Sequence, residues 1–336
     1  MPRWSHLKII IAAVATIAAL AASSTAAAAS VRLPIEPGTH PTRVDHRVPV
    51  SPRVEQPATD EDLEDDEGGS SPSGTSGDYM LYRGGWIQES PRIYIVYWGN
   101  WSLTNDIYNV GGRLYSFLLG IGGSSFASPL TGYGYNCTVG GMNCPNGVMF
   151  KNPTGQLRNW WYDTSYVPTQ PTTSDLQAET QRAAAHFGDY DHNAQYVIAL
   201  PPHHGDFRFP GLCAWHGWAP VYGGAGAVSF TSLNYMPDAG VGRCGNNSVT
   251  GSILDGVTII EGHEYAESVT NPYINYSGPS TTEGWNDSTF GSGEIGDKCM
   301  GVGGYRNTTL STGTFPVQSL WSNYYRYYYN TGCIFG

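Results

Sequence analysis

The chain has 336 residues, of which 43 are Gly and 22 Pro, with 13% charged and 13% aromatic. This Gly and Pro content lacks the period of collagen and the bias of a disordered chain, so a loop-rich domain held by aromatic packing is expected. Seventeen Lys and Arg against 28 Asp and Glu give a net charge of −11, which argues against nucleic acid as partner, because a phosphate backbone requires clustered cations.

Residues 1–29 carry Arg3 and Lys8, an apolar run from Ile9 to Ala22, and small residues ending at Ala27-Ala28-Ala29. This pattern reads as a secretory signal peptide, since a membrane-spanning helix needs roughly 20 apolar residues. No later segment approaches that length, so a secreted, extracellular protein with no membrane span is expected. Residues 30–78 are Pro-rich and hold the acidic block Asp60 to Glu67 before a Gly/Ser stretch. They read as a flexible linker or a propeptide. All six Cys lie beyond the tail, and an even count in an exported chain implies three disulfides. Loop-closure economy favours sequential pairing, Cys137 with Cys144, Cys213 with Cys244 and Cys299 with Cys333.

Residues 79–336 have the length of one large domain. Arg92 to Trp98 is a β-branched and aromatic run between Pro91 and Gly99, and Ala194 to Leu200 is a second, ended by Pro201-Pro202; both predict buried strands. Asn105 to Leu119 and Ser174 to Phe187 carry helical patterns, the latter with Ser174 as its expected N-cap. Residues 213–236 and 312–334 read as strands and loops. The order predicts an α+β domain, or α/β with antiparallel pieces.

Residues 250–272 show helical spacing at Ile253, Val257, Ile260 and Glu264 and stop at Asn271-Pro272. This predicts a mostly buried helix. At its heart His263-Glu264-x-x-Glu267 places an imidazole and a carboxylate one turn apart on one face. That is the logic of the H-E-x-x-H zinc helix with a carboxylate as the second ligand. His263 and Glu267 then serve as metal ligands, and Glu264 as the base that takes a proton from a metal-bound water. The third ligand is expected from Gly293-Glu294-Ile295-Gly296-Asp297, either Glu294 with Asp297 supporting it or the reverse. The divalent metal is expected to be zinc; so many carboxylates leave calcium open. Without a metal, the same residues are simply polar groups at a helix end.

Other clusters are plainer. His203-His204-Gly205-Asp206 follows a strand end, where substrate-binding groups often sit, and reads first as a surface turn after Pro201-Pro202. His216, between Trp215 and Trp218, would stabilise an oxyanion, or pack as an ordinary buried imidazole. The run Tyr324-Tyr325-Arg326-Tyr327-Tyr328-Tyr329 would line a sugar or peptide platform, or, as the preferred reading, form a strand that sends alternate residues into the core and leaves a wet edge.

Gly211-Leu212-Cys213-Ala214-Trp215-His216, the helix ending Ser268-Val269-Thr270-Asn271-Pro272, and the segment from Glu294 to Cys299 resemble the exordium / phosphate-induced protein family of plant cell walls. The likeness covers most of residues 90–335. Plant members lack the ligand residues at positions 263–267, whereas this chain is similar to bacterial secreted relatives with a zincin-type motif. The resemblance implies export and fold and no established reaction. Two functions are therefore expected to compete: a secreted, peptidase-like metal-dependent hydrolase with a single zincin-like domain, acting on peptide or protein, and a non-catalytic extracellular protein that contacts cell-wall carbohydrate.

Overall fold

A computed structural model of the protein describes residues 79–205, 212–222, 226–275, 282–287 and 293–336. The expected signal peptide and acidic tail, together with Asp206 and Gly211, lie outside the described residues. The structure is a mixed α and β fold around a five-stranded sheet built from β1 (Arg92–Trp98), β2 (Leu157–Asp163), β3 (Ala194–Ala199), β4 (Ala214–Pro220) and β5 (Ala227–Leu233). The spatial order is β2-β1-β3-β5-β4. The first four strands in that order run parallel, and β4 closes one edge antiparallel to β5, with His216 opposite Thr231.

Strand alternation divides the core between the two faces of the sheet. Tyr94, Val96, Trp98, Tyr196, Ile198 and Phe230 pack with Leu176, Ala183 and Ala184 of helix α2 (Thr173–Phe187). Ile93, Ile95, Tyr97, Val197 and Leu233 point the other way, into the cluster that holds helices α1 (Val110–Ile121) and α3 (Asp255–Thr270). On this second face the sheet turns polar towards its β4 edge, where Gln195, Ser229, Thr231 and His216 are all buried. A hairpin of β6 (Tyr305–Leu310) and β7 (Gly313–Gln318) covers α3, and Thr258 Oγ1 donates to the carbonyl of Pro316 at 2.7 Å.

The helices depart from their expected limits for identifiable reasons. α1 begins five residues later than Asn105, because Asp106 caps it from an upstream turn, accepting from Val110 N and Gly111 N at 2.8 and 2.9 Å. α2 is capped by Thr172 rather than Ser174, through a reciprocal box with Asp175. Residues 323–329 overturn the strand expectation. They form helix α4 (Asn323–Tyr329), started by the Ser322 hydroxyl and ended by Asn330 at φ 54°. Tyr324, Tyr325, Tyr327, Tyr328 and Tyr329 are therefore all exposed, between 40% and 63%, instead of alternating into the core.

α3 is the most enclosed element, with every one of its sixteen residues buried. The Asp255 carboxylate anchors its first turn, accepting from Val249 N, Thr250 N and the Thr250 hydroxyl. Gly262 lets α1 and its neighbour approach, since a Cβ there would stand 3.0 Å from Phe126 and 3.3 Å from Phe117.

Three disulfides pair the cysteines sequentially, as expected. They are consistent with an extracellular protein, and among the described residues no helix is long and apolar enough to cross a membrane. The Cys299–Cys333 bridge spans 34 residues, for which chain entropy predicts about 4 kcal/mol of stabilisation. Replacing both cysteines by Ser is expected to lower the urea midpoint accordingly. An unchanged midpoint would mean that hydrogen bonds alone hold that segment.

Candidate metal centre

Three elements converge on one buried point. α3 contributes His263, Glu264 and Glu267; the edge strand β4 contributes His216; and a turn over Asp297–Cys299 with the residues before it contributes Glu294 and Asp297. All six side chains are at least nine-tenths buried. Two sets of three present ligand atoms within 4.8 Å of one another, His263 with Glu267 and Asp297, and His216 with Glu264 and Glu267. Both sets have the chemistry of a site that could hold a metal ion.

In the first set, His263 Nε2 lies 3.0 Å from Glu267 Oε1 and 3.4 Å from Asp297 Oδ1. In the second, His216 Nδ1 lies 3.5 Å from both Glu264 Oε2 and Glu267 Oε2. The other nitrogen of His216 faces the Asn271 carbonyl at 3.2 Å. A carbonyl only accepts, so Nε2 carries a proton, and in the neutral imidazole the Nδ1 lone pair is directed at the two glutamates. Glu294 is not in either set. It stands behind His216, with Oε1 3.7 Å from Nε2, and accepts from the Asn271 amide at 2.8 Å.

The carboxylates are poorly satisfied for groups so deeply buried. Glu264 Oε2, Glu267 Oε2 and both oxygens of Asp297 have no hydrogen bond, a state that costs free energy unless a cation or proton compensates it. These donor atoms fit a divalent cation. In its absence protons are drawn in. Burial alone would depress both imidazoles, but Glu294 beside His216 and Glu267 beside His263 outweigh it and raise both well above 6.5. Burial, with the nearby Glu267, pushes the Asp297 carboxyl up to about 7. Glu267 moves the opposite way, held low by His263 and His216 against its burial. Glu261, one turn earlier, is raised well above 4.5 by burial and then by Glu264.

The backbone around Gly296 fits closely over these groups. Gly296 N and Asp297 N each donate to Glu267 Oε1 at 3.1 Å, and Gln318 Nε2 holds the Gly296 carbonyl at 2.9 Å. A Cβ on Gly296 would meet His263 Nδ1 at 2.7 Å and Glu267 Oε1 at 2.8 Å. Asn271 is a second organiser: besides its contacts with Glu294 and His216 it accepts from Gly284 N at 2.8 Å, and its own N–H caps α3 on the Glu267 carbonyl. From the sequence Asn271 is only a helix stop, and His216 has no ligand signature, because its relation to α3 exists only across the sheet edge. By contrast His203 is an exposed turn residue, its N–H donating to Asp238 at 2.5 Å, and His204 bonds locally to Pro202.

A cavity of about 240 Å³ reaches this centre at His263, walled by Ile260, Met300, Tyr305, Gln318, Arg243 and the Cys213–Cys244 bridge. No family model, curated protein or solved structure matches the chain.

Gly296→Ala is expected to keep the fold by circular dichroism yet weaken metal binding by about 10-fold or more, since supporting contacts are worth that much; unchanged affinity would mean that His263 and Glu267 need no such cover. Asn271→Ala removes a buried donor and acceptor together and is expected to cost roughly 2–5 kcal/mol, measured as a lowered denaturation midpoint in the metal-free protein.

Proposed function

We propose that this protein is a secreted metal-dependent hydrolase, peptidase-like in its chemistry and zincin-like in its helix-borne site. The observation that carries the reading is the buried convergence of two imidazoles and four carboxylates, several of whose oxygens lack a hydrogen bond. His263, Glu267 and Asp297 would hold the cation, with zinc preferred and calcium the alternative for so oxygen-rich a set. When bound, such a cation acidifies a water and polarises a carbonyl. Glu264, adjacent to His263 and raised in pKa by its burial, is placed to take up a proton. His216 beside it shares that proton's environment, fixed in tautomer by the Asn271 carbonyl. The cavity on His263 offers substrate an approach bordered by apolar groups and the exposed Arg243.

The total burial of the six side chains favours a second reading, in which the ion is structural and the protein is a non-catalytic, exordium-like extracellular protein. There the exposed tyrosines of α4 would contact cell-wall carbohydrate, the aromatic faces stacking on sugar rings.

Metal-loaded protein is expected to cleave denatured protein or a peptide library, and Glu264→Gln to keep the fold and a bound cation while losing about 10²- to 10⁴-fold in turnover, the usual worth of a general base. Equal turnover in the two proteins, or none in the metal-loaded native chain, would sink the hydrolase. If His263→Ala binds the ion as tightly as the native protein, the ligand assignment is wrong.

A further inference from the structure

The centre holds more ligand atoms and more charge than one divalent cation uses. We propose that it is a two-ion centre in which the Glu267 carboxylate bridges two divalent cations. One ion is bound by His263, Asp297 and Glu267 Oε1, and the other by His216, Glu264 and Glu267 Oε2. This rests on the metal-dependent reading above and changes one role in it, since Glu264 becomes a ligand of the second ion instead of the base.

Distances support the His216 position most directly. Bonds of about 2.0–2.2 Å in a tetrahedral shell put ligand atoms about 3.3–3.6 Å apart. His216 Nδ1 stands 3.5 Å from each of its two carboxylate oxygens and His263 Nε2 3.4 Å from Asp297 Oδ1, within that range, while His263 Nε2 and Glu267 Oε1 at 3.0 Å stand closer and would move apart by a few tenths of an ångström around a cation. At 3.5 Å the His216 contacts are long for hydrogen bonds and right for a shared cation. The two sets use opposite oxygens of one carboxylate, the arrangement that spaces paired metals about 3.5–4 Å apart.

The second position also has the surroundings of a ligand site. Glu264 Oε2 and Glu267 Oε2 are buried and make no hydrogen bond, and the Asn271 carbonyl fixes the His216 tautomer that leaves Nδ1 as the donor atom. The supporting partner of the imidazole is that Asn271 carbonyl, with Glu294 Oε1 nearby at 3.7 Å from Nε2.

Charge is in keeping with a second ion. Glu264, Glu267, Glu294 and Asp297 carry four negative charges when ionised, and the nearby Lys298 is already paired with Asp287 at 2.5 Å. With all four ionised, a single divalent cation leaves two negative charges for protons or imidazolium to offset, whereas two cations beside neutral imidazoles bring the centre to zero.

The test is stoichiometry on the full secreted chain. Protein stripped with a chelator is equilibrated with Zn²⁺, freed of excess, and its metal counted by mass spectrometry; a Mn²⁺-loaded sample is examined by electron paramagnetic resonance. Native protein is expected to hold two ions per chain, with an exchange-coupled manganese spectrum. Glu264→Gln, nearly isosteric, and His216→Ala should each fall to one ion with the coupling lost. Asp297→Asn should also fall to one, and Glu267→Gln should weaken both positions by 10-fold or more. Thermal melts of each variant show whether it is folded, and Glu264→Gln carries the test should His216→Ala fail to fold. Saturation of the native chain at one ion, or two coupled ions retained in folded Glu264→Gln, overturns the bridge. A single ion together with hydrolysis leaves the hydrolase standing without this inference. Two coupled ions without hydrolysis sustain the bridge and remove the hydrolase, and no bound ion removes both.

Discussion

Negative charge enclosed on every side is the constraint around which this structure is arranged. α3 has no solvent face, yet it carries Glu261, Glu264 and Glu267 along with His263. A helix so placed would normally be apolar all round. Each carboxylate must instead be neutralised by a proton, an imidazole or a cation, and the elements packed on α3 supply the means. β4 brings an imidazole, the turn before Cys299 brings backbone donors and another acid, and Asn271 links the two.

This explains several features that would be costly elsewhere. On the polar sheet edge, His216 is the group that meets the acidic helix, through Glu264 and Glu267. Gly296 has an ordinary backbone conformation, so its lack of a side chain reflects close approach to His263 and Glu267 and not chain flexibility. The turn it belongs to is anchored several times over, by the Cys299–Cys333 bridge, by Trp321 N on the Ile295 carbonyl at 2.9 Å, and by Gln318. Such redundancy is what a preorganised ligand set needs, since the free energy of holding like charges together must come from surrounding structure.

Much of the frame was legible in the residues. β1 is delimited as read, because a β-branched and aromatic run between Pro and Gly has few other solutions. α3 and its ligand-spaced pair were visible because helical periodicity is local. Boundaries were less so. α1 starts where a side chain four residues upstream can cap it, and α4 forms because Ser322 and Asn330 outweigh the strand preference of the tyrosines between them.

What the chain declares by itself is therefore whatever depends on near neighbours: the imidazole and carboxylate one turn apart at 263 and 267, and the sequential cysteine pairs whose short loops close readily. What belongs to the tertiary structure alone is the placing of His216 against α3, the position of Asp297 at His263 while Glu294 retires behind His216, and the sharing of Glu267 by two groups that could each hold a metal ion. Those relations join residues 30 to 80 positions apart, and they follow from strand order and the path of the connecting turns, which no periodicity or spacing along the chain encodes.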